Sequence, residues 1–441
     1  MVRRYSKRSD KIKQRQEQGS VLWTILLLGV GFCTVDFLFL FAASHYQDIP
    51  HLRQWNAQEG AEERSPSSIS DFDEEVFKES VITQGNQNKQ KNDFRDKEKV
   101  FQIILAAGMG ESLRKEGVKE KLPTWQQVVD RLGPAPRIYG LESCDAFQSS
   151  FDGKLEDAFV AVAGAFNSGT NLLAELLIAN CVNPSRLQAG LGAGVRWQVN
   201  WGKHTPPKKW RNSKHETYKD APPNENALPA VTVRDPYSWF QSMCRNRYAT
   251  HWFHEVNFHC PNFIPNHVEY EFLPKALDGS YKRDRADLHH DNPWLVDNVM
   301  NTANFTMRSK IVPVYVKYAS ETVNHDSLAH MWSEWNRQYY DAEYPRLMVR
   351  YEDLIFYGKE VTTAACECFG GKMKQRGFRH KGESAKVGDI HMNKTSLVDN
   401  MIRFIDPNID LKKGMTEDDL EFAKKVLDKE MMEFFRYRHP E

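Results

Sequence analysis

The sequence predicts an α/β fold in which a parallel sheet with a P-loop-like turn is flanked by helices. Residues 159–163 are small or apolar, as in a buried strand, and a turn bracketed by Gly164 and Gly169 follows. A helix is expected to begin at about Thr170. Beyond it, apolar strands alternate with helical stretches, which is the pattern of a parallel sheet covered on both faces. A hydrophobic content of 41% and a charged content of 27% fit a globular domain.

The N-terminal region predicts a membrane anchor and a stem. Residues 21–43 are apolar except for Asp36 and are long enough to span a bilayer. Basic residues crowd segment 1–20, so the positive-inside rule predicts a cytoplasmic tail there and a luminal remainder. A cleaved signal peptide is the alternative. Residues 44–97 are poor in aliphatic side chains and read as a flexible stem, which leaves 98–441 as the luminal domain.

The remaining elements follow from apolar periodicity. Residues 100–133 read as helical, with Gly133 and Pro134 as a stop signal. Strands are expected at 227–233, 310–316 and 346–351, and helices at 327–340 and 416–436. Ligands of parallel sheets bind beyond the carboxyl ends of the strands. The turn after residue 163 and Arg234 both follow strands, so we expect them to share one site.

The turn at residues 164–170 has the chemistry of a phosphate cradle. The first amides of a helix lack internal partners and carry the positive end of the helix dipole, so they hold an anionic oxygen well. Thr170 stands where a Walker lysine belongs, and Asn171 follows instead of Ser or Thr. This argues against an ATPase or kinase and for another nucleotide. A net charge of +0 predicts no nucleic-acid partner.

The cysteines predict disulfides in an oxidising compartment. Cys33 lies in the apolar segment, and the other six follow it. They are Cys144, Cys181, Cys244, Cys260, Cys366 and Cys368. Cys366 and Cys368 are too close to favour pairing with each other, so each needs a distant partner, and the connectivity stays open. Glycosylation sequons occur at Asn304 and Asn393.

Three motifs occur in a fixed order along the chain. The first is the run Asn167-Ser168-Gly169-Thr170-Asn171. The second is Arg234 at a strand end, with Ser242 eight residues later on the next helix. The third combines Trp332, Asn336 and LMVRYEDL at 347–354, and the chain closes with FFRYRHP at 434–440.

Over roughly residues 155–441 these motifs resemble the sulfotransferases that use 3′-phosphoadenosine 5′-phosphosulfate (PAPS), in particular the membrane-anchored Golgi members. The resemblance implies that PAPS is the co-substrate and that no metal is required. It also implies that residues 167–171 hold the 5′-phosphosulfate, while Arg234 and Ser242 bind the 3′-phosphate. The family usually has Lys or Arg where Asn167 stands, and Asn can donate a hydrogen bond but carries no charge.

A Lys-His pair supplies the predicted catalytic groups. Lys203 and His204 lie in NWGKHTPPKKWR, which is similar to a Lys-x-His-x-Pro stretch of the family, compressed by one residue. The resemblance implies that His204 is the base for the acceptor hydroxyl, and Lys203 could replace the charge missing at Asn167. Many Golgi relatives use a carboxylate base instead, for which Glu175 and Glu216 are candidates.

The expected reaction is sulfuryl transfer from PAPS to a carbohydrate hydroxyl of a glycan or glycoprotein in the Golgi lumen. A tyrosine in a secreted protein is the second acceptor, and a catalytically silent luminal protein that keeps the fold is a further alternative. The aromatic and histidine-rich stretch 251–267 is expected to line the acceptor mouth rather than to bind a metal through His254, His259 and Cys260. Lys381 and Gly382 resemble a late basic loop over the 3′-phosphate.

Overall fold

The computed structural model describes residues 87–212, 222–254, 259–265, 311–318, 321–384, 395–406 and 409–441. All of them belong to one compact unit of the chain, Val76–Glu441. The predicted tail, anchor and most of the stem lie outside the described residues, as do both sequons and Glu216. None of the helices within the described ranges is long and apolar enough to cross a membrane.

The strands of the unit are β1 (Ile138–Tyr139), β2 (Phe159–Gly164), β3 (Cys181–Val182), β4 (Val195–Arg196), β5 (Ala227–Val233), β6 (Thr250–His251), β7 (Val314–Tyr318), β8 (Glu321–His325), β9 (Leu347–Arg350) and β10 (Lys372–Met373). Five of them form the central sheet, in the order β1-β9-β5-β2-β4. Strand β2 pairs in parallel with β4 and β5, and β5 pairs in parallel with β9, while β1 is an antiparallel edge strand. This confirms an α/β fold with a parallel-containing central sheet flanked by helices.

Helices flank the central sheet. They are α1 (Gln87–Ala106), α2 (Val118–Lys121), α3 (Trp125–Leu132), α4 (Cys144–Ser149), α5 (Thr170–Asn180), α6 (Pro184–Gln188), α7 (Pro207–Trp210), α8 (Pro236–Arg245), α9 (Leu328–Tyr340), α10 (Tyr351–Phe356), α11 (Gly358–Cys368), α12 (Leu397–Ile405), α13 (Glu417–Val426) and α14 (Lys429–Phe434). Helix α1 begins inside segment 44–97, which the composition predicted as stem. The final helix predicted at 416–436 is two helices, because the Asp428 side chain accepts from the amide of Met431 and starts α14 there.

The strand predicted at 310–316 is the main correction to the sheet. It is β7, which begins after Pro313 and lies in a separate antiparallel sheet with the order β6-β7-β8. Parallel neighbours need a crossover of a dozen or more residues. Only residues 319–320 separate β7 from β8, so these two strands can pair only in the antiparallel sense.

Both faces of the central sheet are buried. Along β2, Phe159, Ala161 and Ala163 belong to one apolar cluster, and Val160 and Val162 belong to a second one. Successive side chains of a strand point to opposite faces, so these clusters are the two interfaces between the sheet and its covering layers. A fully apolar central strand is typical of a parallel sheet covered on both sides.

Three disulfides cross-link the unit: Cys144–Cys368, Cys181–Cys366 and Cys244–Cys260. The expectation that Cys366 and Cys368 each pair with a distant partner is confirmed. Both lie on α11, where they tether α4 and the end of α5. The third bond joins the last turn of α8 to the segment that contains Cys260.

Candidate active site

A cleft of about 1230 Å³ opens where β2, β5 and β9 end. It is lined by most of the residues that the sequence predicted for the site, drawn from three separate stretches of the chain. They are Asn167, Gly169, Thr170, Asn171, His204, Arg234 and Ser242. Ser168 and Lys203 lie beside the cleft but do not line it. The turn follows β2 and Arg234 follows β5, and these two strands are parallel neighbours in the sheet.

The cradle turn is packed tightly against its neighbours. Gly169 has a φ of +97°, and a Cβ there would lie 2.3 Å from Cδ2 of Tyr351, so no other residue fits. The Ser168 hydroxyl donates to the carbonyl of Ala165 at 2.7 Å and lies 2.8 Å from Oγ1 of Thr232. This hydroxyl therefore fastens the turn to β5. The Ser168 amide donates to the same Ala165 carbonyl at 3.3 Å, so both groups of Ser168 stabilise the turn itself.

Asn167 joins the cradle to α8. Its backbone is left-handed, with a φ of +59°, which Asn tolerates better than most residues. Its side-chain amide donates to the carbonyl of Asn246 at 2.7 Å and, more weakly, to that of Ser242 at 3.4 Å. Residue 167 thus places in the cradle a neutral amide that binds the end of α8.

Arg234 lies directly beside the cradle. Its Nη1 donates to the carbonyl of Asn167 at 3.1 Å and its Nε to the hydroxyl of Ser238 at 3.0 Å. The guanidinium lies over the ring of Tyr351, 4.7 Å from the centroid. Backbone, hydroxyl and aromatic contacts orient this guanidinium without neutralising its charge, so Arg234 is preorganised to receive an anion in the cleft.

Two further arginines, which were not predicted from the sequence, form a basic cluster with Arg234. Arg245 and Arg403 line the same cleft as Arg234. Partial burial, followed by the positive charges of Arg234 and Arg403, lowers the pKa of Arg245 to about 10. Nη2 of Arg245 donates to the Ser242 hydroxyl at 3.1 Å. Three guanidiniums that line one cleft make a strong site for a polyanionic group.

The sequence held a signal for one of these two arginines. Arg245 follows Ser242 by three residues on α8, which puts both on one helix face. Arg403 lies on α12, far along the chain, and no local pattern marks it.

His204 is held as a neutral imidazole at the edge of the cradle. Burial of the ring and the neighbouring Lys203 lower its pKa to about 4, although backbone hydrogen bonds at Gly164 and Ala165 partly oppose this. Nδ1 donates to the carbonyl of Gly164 at 2.7 Å. In the neutral ring this leaves the lone pair on Nε2, which is the arrangement of a general base.

Lys203 lies next to the first turn of α5. Its Nζ donates to Oδ1 of Asn171 at 2.9 Å and lies 3.8 Å from the ring centroid of Trp197. Burial lowers the pKa of Lys203 to about 7, and the carboxylate of Glu175 opposes this. Glu175, the carboxylate alternative for the base, is 3.6 Å from Nζ of Lys381, which lines the cleft.

Three tryptophans hold the backbone of the site. On α9, the indole of Trp332 donates to the carbonyl of Arg234 and that of Trp335 to the carbonyl of His204, both at 2.9 Å. Trp239 donates to the carbonyl of Phe166 at 2.5 Å. Trp332 and Trp335 are buried and nearly one turn apart, so a single rigid helix sets the spacing of Arg234 and His204.

In the histidine-rich stretch 251–267, the three side chains considered as metal ligands contact protein groups instead. Cys260 is in a disulfide, Nε2 of His259 lies 2.8 Å from a carboxylate oxygen of Asp419, and His254 stacks on Trp252 at 4.0 Å. In the part of the chain that the structure describes, no three His, Cys, Asp or Glu side chains form a metal-binding group. Residues 255–258 and 266–267 of this stretch are outside the described residues.

No protein-family profile matches the chain, and neither a curated protein nor a solved structure shows significant similarity to it.

Proposed function

We propose that the protein is a PAPS-dependent sulfotransferase with a P-loop-like nucleotide site. The observation that carries this proposal is the direct contact between the cradle and Arg234, whose Nη1 lies 3.1 Å from the carbonyl of Asn167. Two anion-binding elements in one cleft suit a nucleotide with separate 5′ and 3′ phosphate groups. The start of α5 would hold the 5′-phosphosulfate. Arg234 and the Ser242 hydroxyl, with Arg245 and Arg403, would hold the 3′-phosphate.

The proposed transfer is a displacement at sulfur. The acceptor hydroxyl oxygen bonds to sulfur, and the bond from sulfur to the 5′-phosphate oxygen breaks. The proton of the hydroxyl passes to Nε2 of His204, while the bond's electron pair stays on the leaving phosphate. The amides at the start of α5 stabilise that charge. Lys203, whose Nζ donates to Oδ1 of Asn171 in the first turn of α5, is the cation that would assist the leaving phosphate in place of residue 167.

The donor site can be tested by calorimetry with adenosine 3′,5′-bisphosphate, the desulfo product. Arg234→Ala should weaken binding by about 1.5–3 kcal/mol, the range for a lost hydrogen bond to a charged group. Arg114→Ala is the matched control, because Arg114 is exposed, pairs with Glu111 and does not line the cleft. Equal affinity of wild type and Arg234→Ala would refute the assignment of the 3′-phosphate site. Tighter binding of Mg-ATP than of PAPS would indicate a kinase instead.

The proposed acceptor is a carbohydrate hydroxyl, with a protein tyrosine as the second possibility. A catalytically silent PAPS-binding protein is a separate candidate, which the structure of Asn167 favours, because its amide binds Asn246 and Ser242 and adds no charge to the cradle. Labelled PAPS offered with glycan and peptide acceptors separates these functions. Binding of the bisphosphate without transfer to any acceptor would support the silent protein.

We also propose a single-pass type II Golgi membrane protein with a luminal catalytic domain. The apolar stretch 21–43 and the basic segment before it support this topology. The three disulfides support an oxidising compartment. In intact microsomes, a C-terminal tag should resist added protease until detergent opens the vesicles. Digestion of the tag without detergent would refute this topology.

A further inference from the structure

Tyr248 is an unusual side chain at the rim of the cleft. It follows α8 in a turn closed by a hydrogen bond from the amide of Thr250 to the carbonyl of Arg247, at 3.1 Å. Its backbone is left-handed, with a φ of +54°, and its side chain lines the cleft while remaining 40% exposed. A bulky residue with positive φ is a costly conformation that proteins retain mainly at functional sites. An exposed aromatic face in a cleft also points to a ligand.

The contacts of Tyr248 place it on the same side of the cleft as the proposed base. Its ring stacks on Phe166, with centroids 5.5 Å apart and planes 14° apart. The same Phe166 ring packs on His204, with centroids 4.6 Å apart. Phe166 belongs to the cradle turn, and its carbonyl accepts from the buried indole of Trp239. Tyr248 is therefore held in a fixed relation to the cradle and to His204.

The cleft has room for an acceptor beside the nucleotide. Its volume of about 1230 Å³ exceeds the roughly 300–1,000 Å³ of pockets for one small ligand. The guanidiniums of Arg234, Arg245 and Arg403 line the proposed 3′-phosphate site. The same cleft is also lined by Tyr248 and by the neutral Asn246, whose carbonyl accepts from Asn167 of the cradle. An aromatic face and a neutral amide in one cleft suit a ligand with an apolar ring face and hydroxyl groups.

We propose that Tyr248 is the acceptor platform, on which the apolar face of a neutral sugar ring stacks so that a ring hydroxyl reaches His204. This inference rests on the proposed sulfotransferase function and names its acceptor as a neutral sugar residue. Sugar C–H groups pack on aromatic rings, and the rim hydroxyls of the sugar then lie within reach of amide and imidazole partners. The phenol of Tyr248 contributes its ring, so its hydroxyl is dispensable.

The test uses saturation-transfer NMR on the full chain loaded with adenosine 3′,5′-bisphosphate. The probes are lactose, N-acetyllactosamine, cellobiose and chitobiose, with a tyrosine-containing peptide as the alternative acceptor. At least one sugar should receive saturation from the wild type and from Tyr248→Phe, which keeps the ring. Tyr248→Asn should bind that sugar about tenfold more weakly, since the stacking contact is lost.

The variants separate binding from folding. Asn accepts a positive φ better than Tyr does, and this gain offsets the lost ring contact with Phe166, so Tyr248→Asn should melt near the wild-type temperature. Tyr248→Gly is a second ring-deleted variant that also suits this backbone. Unchanged sugar affinity in both variants would overturn the platform, and so would binding of the tyrosine peptide with no binding of any sugar. If the bisphosphate itself does not bind the wild type, the proposed function fails instead.

Discussion

Replacing Asp353 by alanine should lower the free energy of unfolding by about 3–5 kcal/mol, the usual cost of breaking a buried ion pair by removing one partner. Asp353 is fully buried and pairs with Arg350, with Nε to Oδ2 at 2.7 Å and Nη2 to Oδ1 at 2.6 Å. Arg350 also donates to the carbonyls of Leu132 and Phe435. The variant would leave a buried guanidinium without its counter-charge. Denaturant unfolding monitored by fluorescence and circular dichroism measures the loss.

An exposed ion pair is the matched control for this stability measurement. Glu111 pairs with Arg114 at 3.0 Å with its side chain largely in solvent, so Glu111→Ala should change the free energy of unfolding by no more than about 1 kcal/mol. Similar small losses in both variants would contradict the role given to the buried pair.

The Asp353 variant should also weaken binding of the bisphosphate. Arg350 ends β9 and is followed by Tyr351, which packs on Gly169 and Arg234 of the cleft.

The parts of the fold that the sequence predicted well are those with local causes. The apolar run of β2, the glycines of the turn and the start of α5 all follow from neighbouring residues, and β5 ends at Val233 as its composition indicates. Helix α9 was expected from residue 327, and Ser327 is its N-cap, accepting from the amide of His330. In each of these cases the signal and the element lie within a few residues of each other.

The parts that the sequence did not predict depend on contacts between distant segments. Arg403 reaches the cleft only because α12 packs near the end of β9, and Tyr248 acquires its position from a left-handed turn and from Phe166. The sequence predicted β7 as a strand of the parallel sheet, because the apolar residues of a strand do not indicate which strand it pairs with. From the sequence, Asn167 could be judged only by its lack of charge. Its hydrogen bonds to the end of α8 join segments about 75 residues apart and could not be predicted from either segment alone.

Replacing His204 by alanine should lower turnover by about 10²–10⁴-fold, the usual contribution of a positioned general base. The measurement is transfer of label from PAPS to the best acceptor of the glycan and peptide panel. Affinity for the bisphosphate should stay near the wild-type value, because His204 acts on the acceptor hydroxyl. Glu175→Gln is the matched control, since Glu175 is the rival base and is paired with Lys381. Full turnover of His204→Ala with loss of turnover in Glu175→Gln would reverse the assignment.

The lowered pKa of His204 gives this base a second, independent signature. Its pKa of about 4 lies below the ordinary value of 6.5, so the neutral ring persists in acid and the acidic limb of kcat/KM should fall near pH 4. Between these two values the unfolded chain binds a proton that the folded chain does not. The His204 contribution to stability is therefore complete above pH 6.5 and is lost as the pH falls towards 4. Unfolding measured from pH 7 to 4 should show a steeper loss for the wild type than for His204→Ala. Parallel curves, or an acidic limb near pH 6.5, would contradict the buried neutral base.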